Sequence, residues 1–129
     1  MGQQQLLLII LGVIIVGIAI AVGLSLFSAQ SIQSNKDAII NDLNNIAAHA
    51  YQYRIRPASM AGGAGSYVGY SIPSKMATNA NASYTCTPTA NNVTFTAISA
   101  NNTANTVTAQ IDTDGKFVQA QWAYTGDFQ

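Results

Sequence analysis

The chain has 129 residues, 49% hydrophobic and only 8% charged, with five basic and five acidic side chains, one histidine and one cysteine. Soluble domains carry about 25% charged residues, so charge is scarce here, and the zero net balance leaves no basic patch of the kind that binds nucleic acid. With no glutamate, a single His49 and a single Cys86, the sequence offers almost nothing from which to build a paired-carboxylate site, a metal cluster or a disulfide framework, so no enzymatic activity, cofactor or metal is expected.

The hydrophobicity is local. No charged side chain precedes Lys36, and Leu6–Phe27 (LLLIILGVIIVGIAIAVGLSLF) is an uncharged run of 22 residues. As a helix it spans roughly 33 Å, against a hydrocarbon core of about 30 Å. A cleaved signal peptide has a basic flank and an apolar core of about 7–15 residues. Here the flank is Met1-Gly2-Gln3-Gln4-Gln5 and the run is longer, so the segment is expected to stay in the working protein.

Beyond it, residues 29–56 contain neither proline nor glycine, and apolar side chains recur at Ile32, Ile39, Leu43, Ile46, Ala50 and Tyr53. Those steps of seven, four, three, four and three trace one helical face. Pro57 ends the pattern, because the residue before a proline is biased away from helical geometry. The spacing predicts one continuous helix from about Gln3 to about Arg56, roughly 80 Å long. A compact domain of this length has a radius of gyration near 14 Å, so the first half must be covered by a bilayer or by neighbouring chains.

Residues 57–82 are rich in Gly, Ala and Ser and read as a flexible connector. Gly62-Gly63-Ala64-Gly65 lacks the preceding strand, the following Lys-Ser/Thr and the helix that a phosphate loop needs. Four runs then carry strand chemistry: Tyr84–Thr89, Val93–Ser99, Thr106–Asp112 and Lys116–Tyr124. Asp114-Gly115 between the last two favours a two-residue type I′ hairpin. An antiparallel meander over 83–125 is expected, with Val107, Ala109 and Ile111 on one face of the third strand and Val118, Ala120, Trp122 and Tyr124 on one face of the fourth. The helical stripe Ile39, Leu43, Ile46 and Ala50 is its natural cover, with Val118 and Trp122 opposite. The fold class expected is therefore α+β.

This order of parts, with NDLNNIAAHAYQY in the amphipathic half of the helix, resembles a type IV pilin or pseudopilin. The motif-level match is confined to about residues 1–56. The resemblance implies two regions. Residues 1–28 would anchor the subunit in the inner membrane before assembly and form the filament core afterwards. Residues 29–129 would be the head. It also implies a homopolymer made into an extracellular filament for attachment, surface motility or biofilm, together with an inner-membrane platform, an assembly ATPase and an outer channel. Subunit packing would fall to Gln5, Leu8, Leu11, Ile15 and Ile18, with Val22 and Phe27 further along and Gly12, Gly17 and Gly23 between them. The alternatives are a pseudopilin building a short secretion piston and a single-pass, membrane-anchored binding module.

The sequence departs from that family in several ways. Gln5 stands where pilins usually carry a glutamate thought to pair with a neighbour's N-terminal amine, and a neutral amide cannot neutralise an ammonium. Met1-Gly2 before Gln3 has the look of a processing site, but the N terminus is expected not to be cut at Gly2. The family's frequent proline in the membrane half is missing. Gly12, Gly17 and Gly23 occupy it instead, each costing about 1 kcal/mol relative to alanine, and serve either to permit a bend or to let helices approach closely. Many bacterial pilins close the C-terminal loop with a disulfide. Cys86 has no partner, so packing alone must hold that loop.

The outer part of the head has its own signature. From Thr78 the chain is dominated by Thr, Asn and Ala and carries no charge until Asp112. Asn81-Ala82-Ser83, Asn92-Val93-Thr94 and Asn101-Asn102-Thr103 are N-glycosylation sequons. They read either as glycan acceptors or as ordinary turn and strand residues. His49, a turn or two beyond Asn45 and Asp42, reads as a surface or interface histidine, and Cys86 as a small buried hydrophobe. Arg54 and Arg56 suit the helix C-terminal dipole and could reach Asp112 and Asp114 of an adjacent subunit.

Overall fold

The computed structural model describes residues 2–129, which form one long N-terminal helix and a four-stranded antiparallel sheet, an α+β arrangement. They fall into two units, one ending at Gln33 and the other running from Ser34 to Gln129. Helix α1 (Gln3–Ile55) is the body of the first unit and the first element of the second. Its bounds agree with the expected ones to within a residue, because no proline interrupts it and Pro57 cannot continue it.

In the first unit every residue from Gly2 to Ser31 is exposed. In the second, the stripe Ile39, Leu43, Ile46 and Ala50 is buried as the spacing requires, and Ala47 joins it. The sheet is a meander in the order β1 (Ala82–Pro88), β2 (Val93–Ser99), β3 (Thr106–Ile111) and β4 (Ala123–Tyr124). Inward rows run across the first three strands: Tyr84, Ala97 and Val107; Cys86, Phe95 and Ala109; Pro88, Val93 and Ile111. The alternate residues form outward rows of hydroxyls, Thr85 beside Thr96 and Thr108, and Thr87 beside Thr94. Such Thr pairs stabilise a ladder while keeping its solvent face polar without charge.

Three expectations are corrected. Lys116–Tyr124 is not a strand: Phe117 makes one isolated bridge to Ile111, Gln119–Gln121 coil into a 3₁₀ turn, and only Ala123 and Tyr124 rejoin the sheet. The 3₁₀ turn breaks the two-residue alternation, leaving Val118 and Trp122 half-buried and Ala120 exposed. The buried aromatic side chains of the core are instead Tyr67, Tyr70 and Phe128, each at most 4% exposed, together with Tyr84 and Phe95. Trp122 instead stacks outside, 4.9 Å from the Phe117 ring and 6.1 Å from that of Tyr124.

The turn after β3 is not a two-residue type I′ hairpin. Gly115 N–H donates to Asp112 O at 3.1 Å and Asp112 N–H to Lys116 O at 2.9 Å, and Gly115 has φ +78° whereas Asp114 does not enter the left-handed region. This is a type I turn followed by a left-handed glycine, the three-residue alternative. Asp112 selects it, because its Oδ1 accepts from the Asp114 and Lys116 amides and ties the turn to its first residue.

The segment after α1 is not a loose connector. Gly63 N–H donates to Tyr53 O, Ala64 N–H to Arg56 O and Gly65 N–H to Arg54 O, so the glycine run satisfies carbonyls that the end of a helix leaves open. A Cβ at Gly63 would lie 1.8 Å from Ser66 O, so no larger residue fits. Beyond the cap, Tyr67 and Tyr70 turn into the core and Ser74–Ala77 make the short helix α2.

Candidate functional site

Two surfaces stand out, one in each unit. The first is apolar. Sixteen large aliphatic and aromatic side chains of Leu6–Phe27 are 52–73% exposed, among them Leu8, Leu11, Ile15, Ile18, Val22 and Phe27. Gln5 is exposed on the same helix. Around Gly12, Gly17 and Gly23 a Cβ would meet nothing within 4 Å. The helix is long and apolar enough to cross a membrane. Every residue named for subunit packing therefore lies on a surface that the first unit itself does not cover.

The second surface is the polar rim of the head, where α1 is fastened to the chain leading into the sheet. Asp42 lies beside the buried Leu43, and its Oδ2 accepts from Tyr84 Oη at 2.6 Å, Asn79 Nδ2 at 2.9 Å and Asn81 Nδ2 at 3.3 Å. Partial burial raises the Asp42 pKa, but these three donors outweigh it and hold the carboxyl below its ordinary value of 3.8. Burial, and then the bond to Asp42, push the Tyr84 phenol well above its ordinary range. Two helical turns earlier, Asn35 donates through Nδ2 to Asn81 O at 3.2 Å and accepts from Ser99 Oγ at 2.6 Å. Nothing local in the sequence marks Asp42 or Asn35 as hubs, since their partners lie 37 to 64 residues away.

At the other end of the α1 head segment, His49 does not meet Asn45 or Asp42. Its Nδ1 is 3.1 Å from Tyr70 Oη. Cys86 is half-buried, and desolvation raises its thiol pKa, so it behaves as a packed side chain and not as a reactive thiolate. The Arg54 guanidinium lies 5.5 Å from the centre of the Tyr67 ring, and Tyr67 Oη donates to Asp112 O at 2.6 Å.

Packing alone does not hold the C-terminal segment. Buried Asn105 accepts from Asp127 N–H through Oδ1 at 2.8 Å, Thr125 Oγ1 meets Thr106 Oγ1 at 2.6 Å, and Phe128 is 1% exposed. Hydrogen bonds and one aromatic anchor thus do the fastening that a disulfide would do. Asn81 stands at the entry to β1, Asn92 in the β1–β2 turn and Asn101 in the β2–β3 turn. Among the described residues no group of three or more His, Cys or Asp side chains is placed to hold a metal ion. No family model, curated protein or solved structure matches this chain.

Proposed function

We propose that this chain is the structural subunit of a type IV pilus-like helical filament, inserted in the inner membrane through Leu6–Phe27 before assembly and presenting its head outside afterwards. One observation carries the reading: a wholly uncovered apolar helix segment on a chain whose head buries its own core. At about 1–2 kcal/mol for each of the sixteen large side chains, that surface costs on the order of 20 kcal/mol in water. Unfolding would not relieve that cost, because the unfolded chain exposes the same side chains, so the segment belongs in lipid or among copies of itself.

Lipid and neighbouring helices are nearly equivalent solvents for Leu, Ile and Val, which makes transfer from one to the other nearly neutral once packing replaces lipid contacts. Gly12, Gly17 and Gly23 leave room for close helix approach. The platform, ATPase and outer channel that such a filament needs are part of this proposal.

Electron cryo-microscopy of material sheared from the cells, with mass spectrometry of the same fraction, tests the reading. Fibres of this chain with apolar helices bundled at the axis are expected. A chain that stays in the inner membrane while no fibre forms would overturn it in favour of an anchored module or a short piston.

A further inference from the structure

We propose that Asn101 is an N-glycosylation site and that Asn81 and Asn92, which carry the same motif, are not. The inference rests on the reading above that the head faces outward. A transferase must reach the acceptor asparagine and the residue two positions on, with the acceptor's amide nitrogen free to react. Three sequons of equal standing in the sequence are made unequal by folding.

Asn81-Ala82-Ser83 is locked. The amide nitrogen that would become glycosylated donates to Asp42 Oδ2, Asn81 O accepts from Asn35 Nδ2 and from Ala100 N–H, and Ala82 is fully buried in β1 opposite Ser99. A sugar there would take apart the fastening between α1 and the sheet. Asn92-Val93-Thr94 runs into a central strand: Val93 is fully buried between Pro88 and Ile111, and Thr94 Oγ1 accepts from Gln110 Nε2 at 3.2 Å. Asn92 Oδ1 also accepts from Thr89 Oγ1 at 2.7 Å. Reaching this motif means unzipping β2 from both neighbours.

Asn101-Asn102-Thr103 lies wholly outside the strands, and residues 100–104 are all exposed. The Asn101 side chain makes no hydrogen bond among the described residues; only its backbone N–H is engaged, by Ser99 Oγ at 3.2 Å. The turn is nevertheless formed, because Ser99 N–H donates to Asn105 O at 2.9 Å and Asn105 N–H to Asn102 O at 3.0 Å. A sugar at this tip therefore disturbs no contact of the fold. It would hydrate the part of the head that is poorest in charge.

The co-reactant is a sugar carried on a polyisoprenyl phosphate or diphosphate lipid. Asn101 Nδ2 attacks the anomeric carbon, the carbon–oxygen bond to the lipid phosphate breaks, and a carbon–nitrogen bond forms. The amide gives up one proton and the lipid phosphate leaves with the bonding electron pair, with no change of oxidation state.

The test is mass spectrometry of the full chain from its native cells, with fragmentation of the tryptic peptide Met76–Lys116, which contains all three sequons. One glycan mass is expected on Asn101. It should disappear in Asn101→Gln and Thr103→Ala, and persist in Thr103→Ser, Asn81→Gln and Asn92→Gln. External protease on intact cells or spheroplasts reports independently which side the head occupies. A head cleaved from outside with Asn101 unmodified, or with the sugar on Asn81 or Asn92, overturns the inference and leaves the filament reading intact. A head shielded from the protease, with Asn101 bare, overturns both.

Discussion

Leu6–Phe27 and Ile39–Ala50 belong to one helix and draw on the same aliphatic side chains, yet the first stretch buries nothing and the second buries a full stripe. The difference lies in the pattern. In the second stretch Asn41, Asn44 and Asn45 alternate with the apolar positions, so one face can meet the sheet while the other stays wet. In the first stretch apolar residues occupy every direction around the axis, and no single partner could cover them. An amphipathic helix is completed by its own domain, whereas one that is apolar all round must be completed by a different solvent or by other copies.

The contrast is broken most severely by charge. Replacing Ile14 and Ile18 with aspartate puts two carboxylates in the middle of the apolar run, at about 2.5–3.5 kcal/mol each in a membrane helix. Membrane retention after alkaline extraction, and filament yield by electron microscopy, should fall by on the order of 10⁴-fold, with the folded head unaffected by circular dichroism. Next comes a matched truncation. Leu43→Ala removes a fully buried side chain and should destabilise the head by about 2–5 kcal/mol in thermal melts of detergent-solubilised chain, whereas Leu11→Ala, 52% exposed, should leave that melt unchanged.

Glycine sharpens the comparison further. Gly63→Ala forces a Cβ against Ser66 O and should cost the head about 1–3 kcal/mol. Gly17→Ala meets open space and should favour the helix by about 1 kcal/mol without moving the head melt. The smallest expected effect concerns acid. Because the Asp42 pKa is lowered on folding, its contribution to stability is present above the ordinary value of 3.8 and is lost as pH falls through the lower folded value. Melts of the parent chain between about pH 5 and 2 should therefore show a decline that Asp42→Asn flattens.

The parts of the fold that were legible in the sequence are those set by local periodicity. The helix bounds, the buried stripe from Ile39 to Ala50, the strands β2 and β3 and the inward face Val107, Ala109 and Ile111 all follow from spacing and from Pro57. The last strand was misread because Val118, Ala120, Trp122 and Tyr124 alternate correctly on paper. A two-residue period says that a run would fit a sheet face, not that the chain lies along one, and the 3₁₀ turn at Gln119–Gln121 interrupts it so that only Ala123 and Tyr124 pair. Asp114-Gly115 was misread because the Asp112 carboxylate, two residues earlier, sets the turn by bonding the amides of Asp114 and Lys116. Glycine content made residues 57–82 look loose, although those glycines are there to let the backbone close over the helix end.

By itself the sequence determined that an uncharged helix segment must leave water and that an amphipathic continuation must cover a small Thr-rich sheet. These follow from composition and period, which act over a few residues. Only the tertiary structure decided that Asp42 gathers Asn79, Asn81 and Tyr84, that Asn105, Thr125 and Phe128 fasten the C terminus, and which sequon is open. Those outcomes depend on hydrogen bonds and volumes shared between residues as many as 42 positions apart, which exist only once the chain has folded.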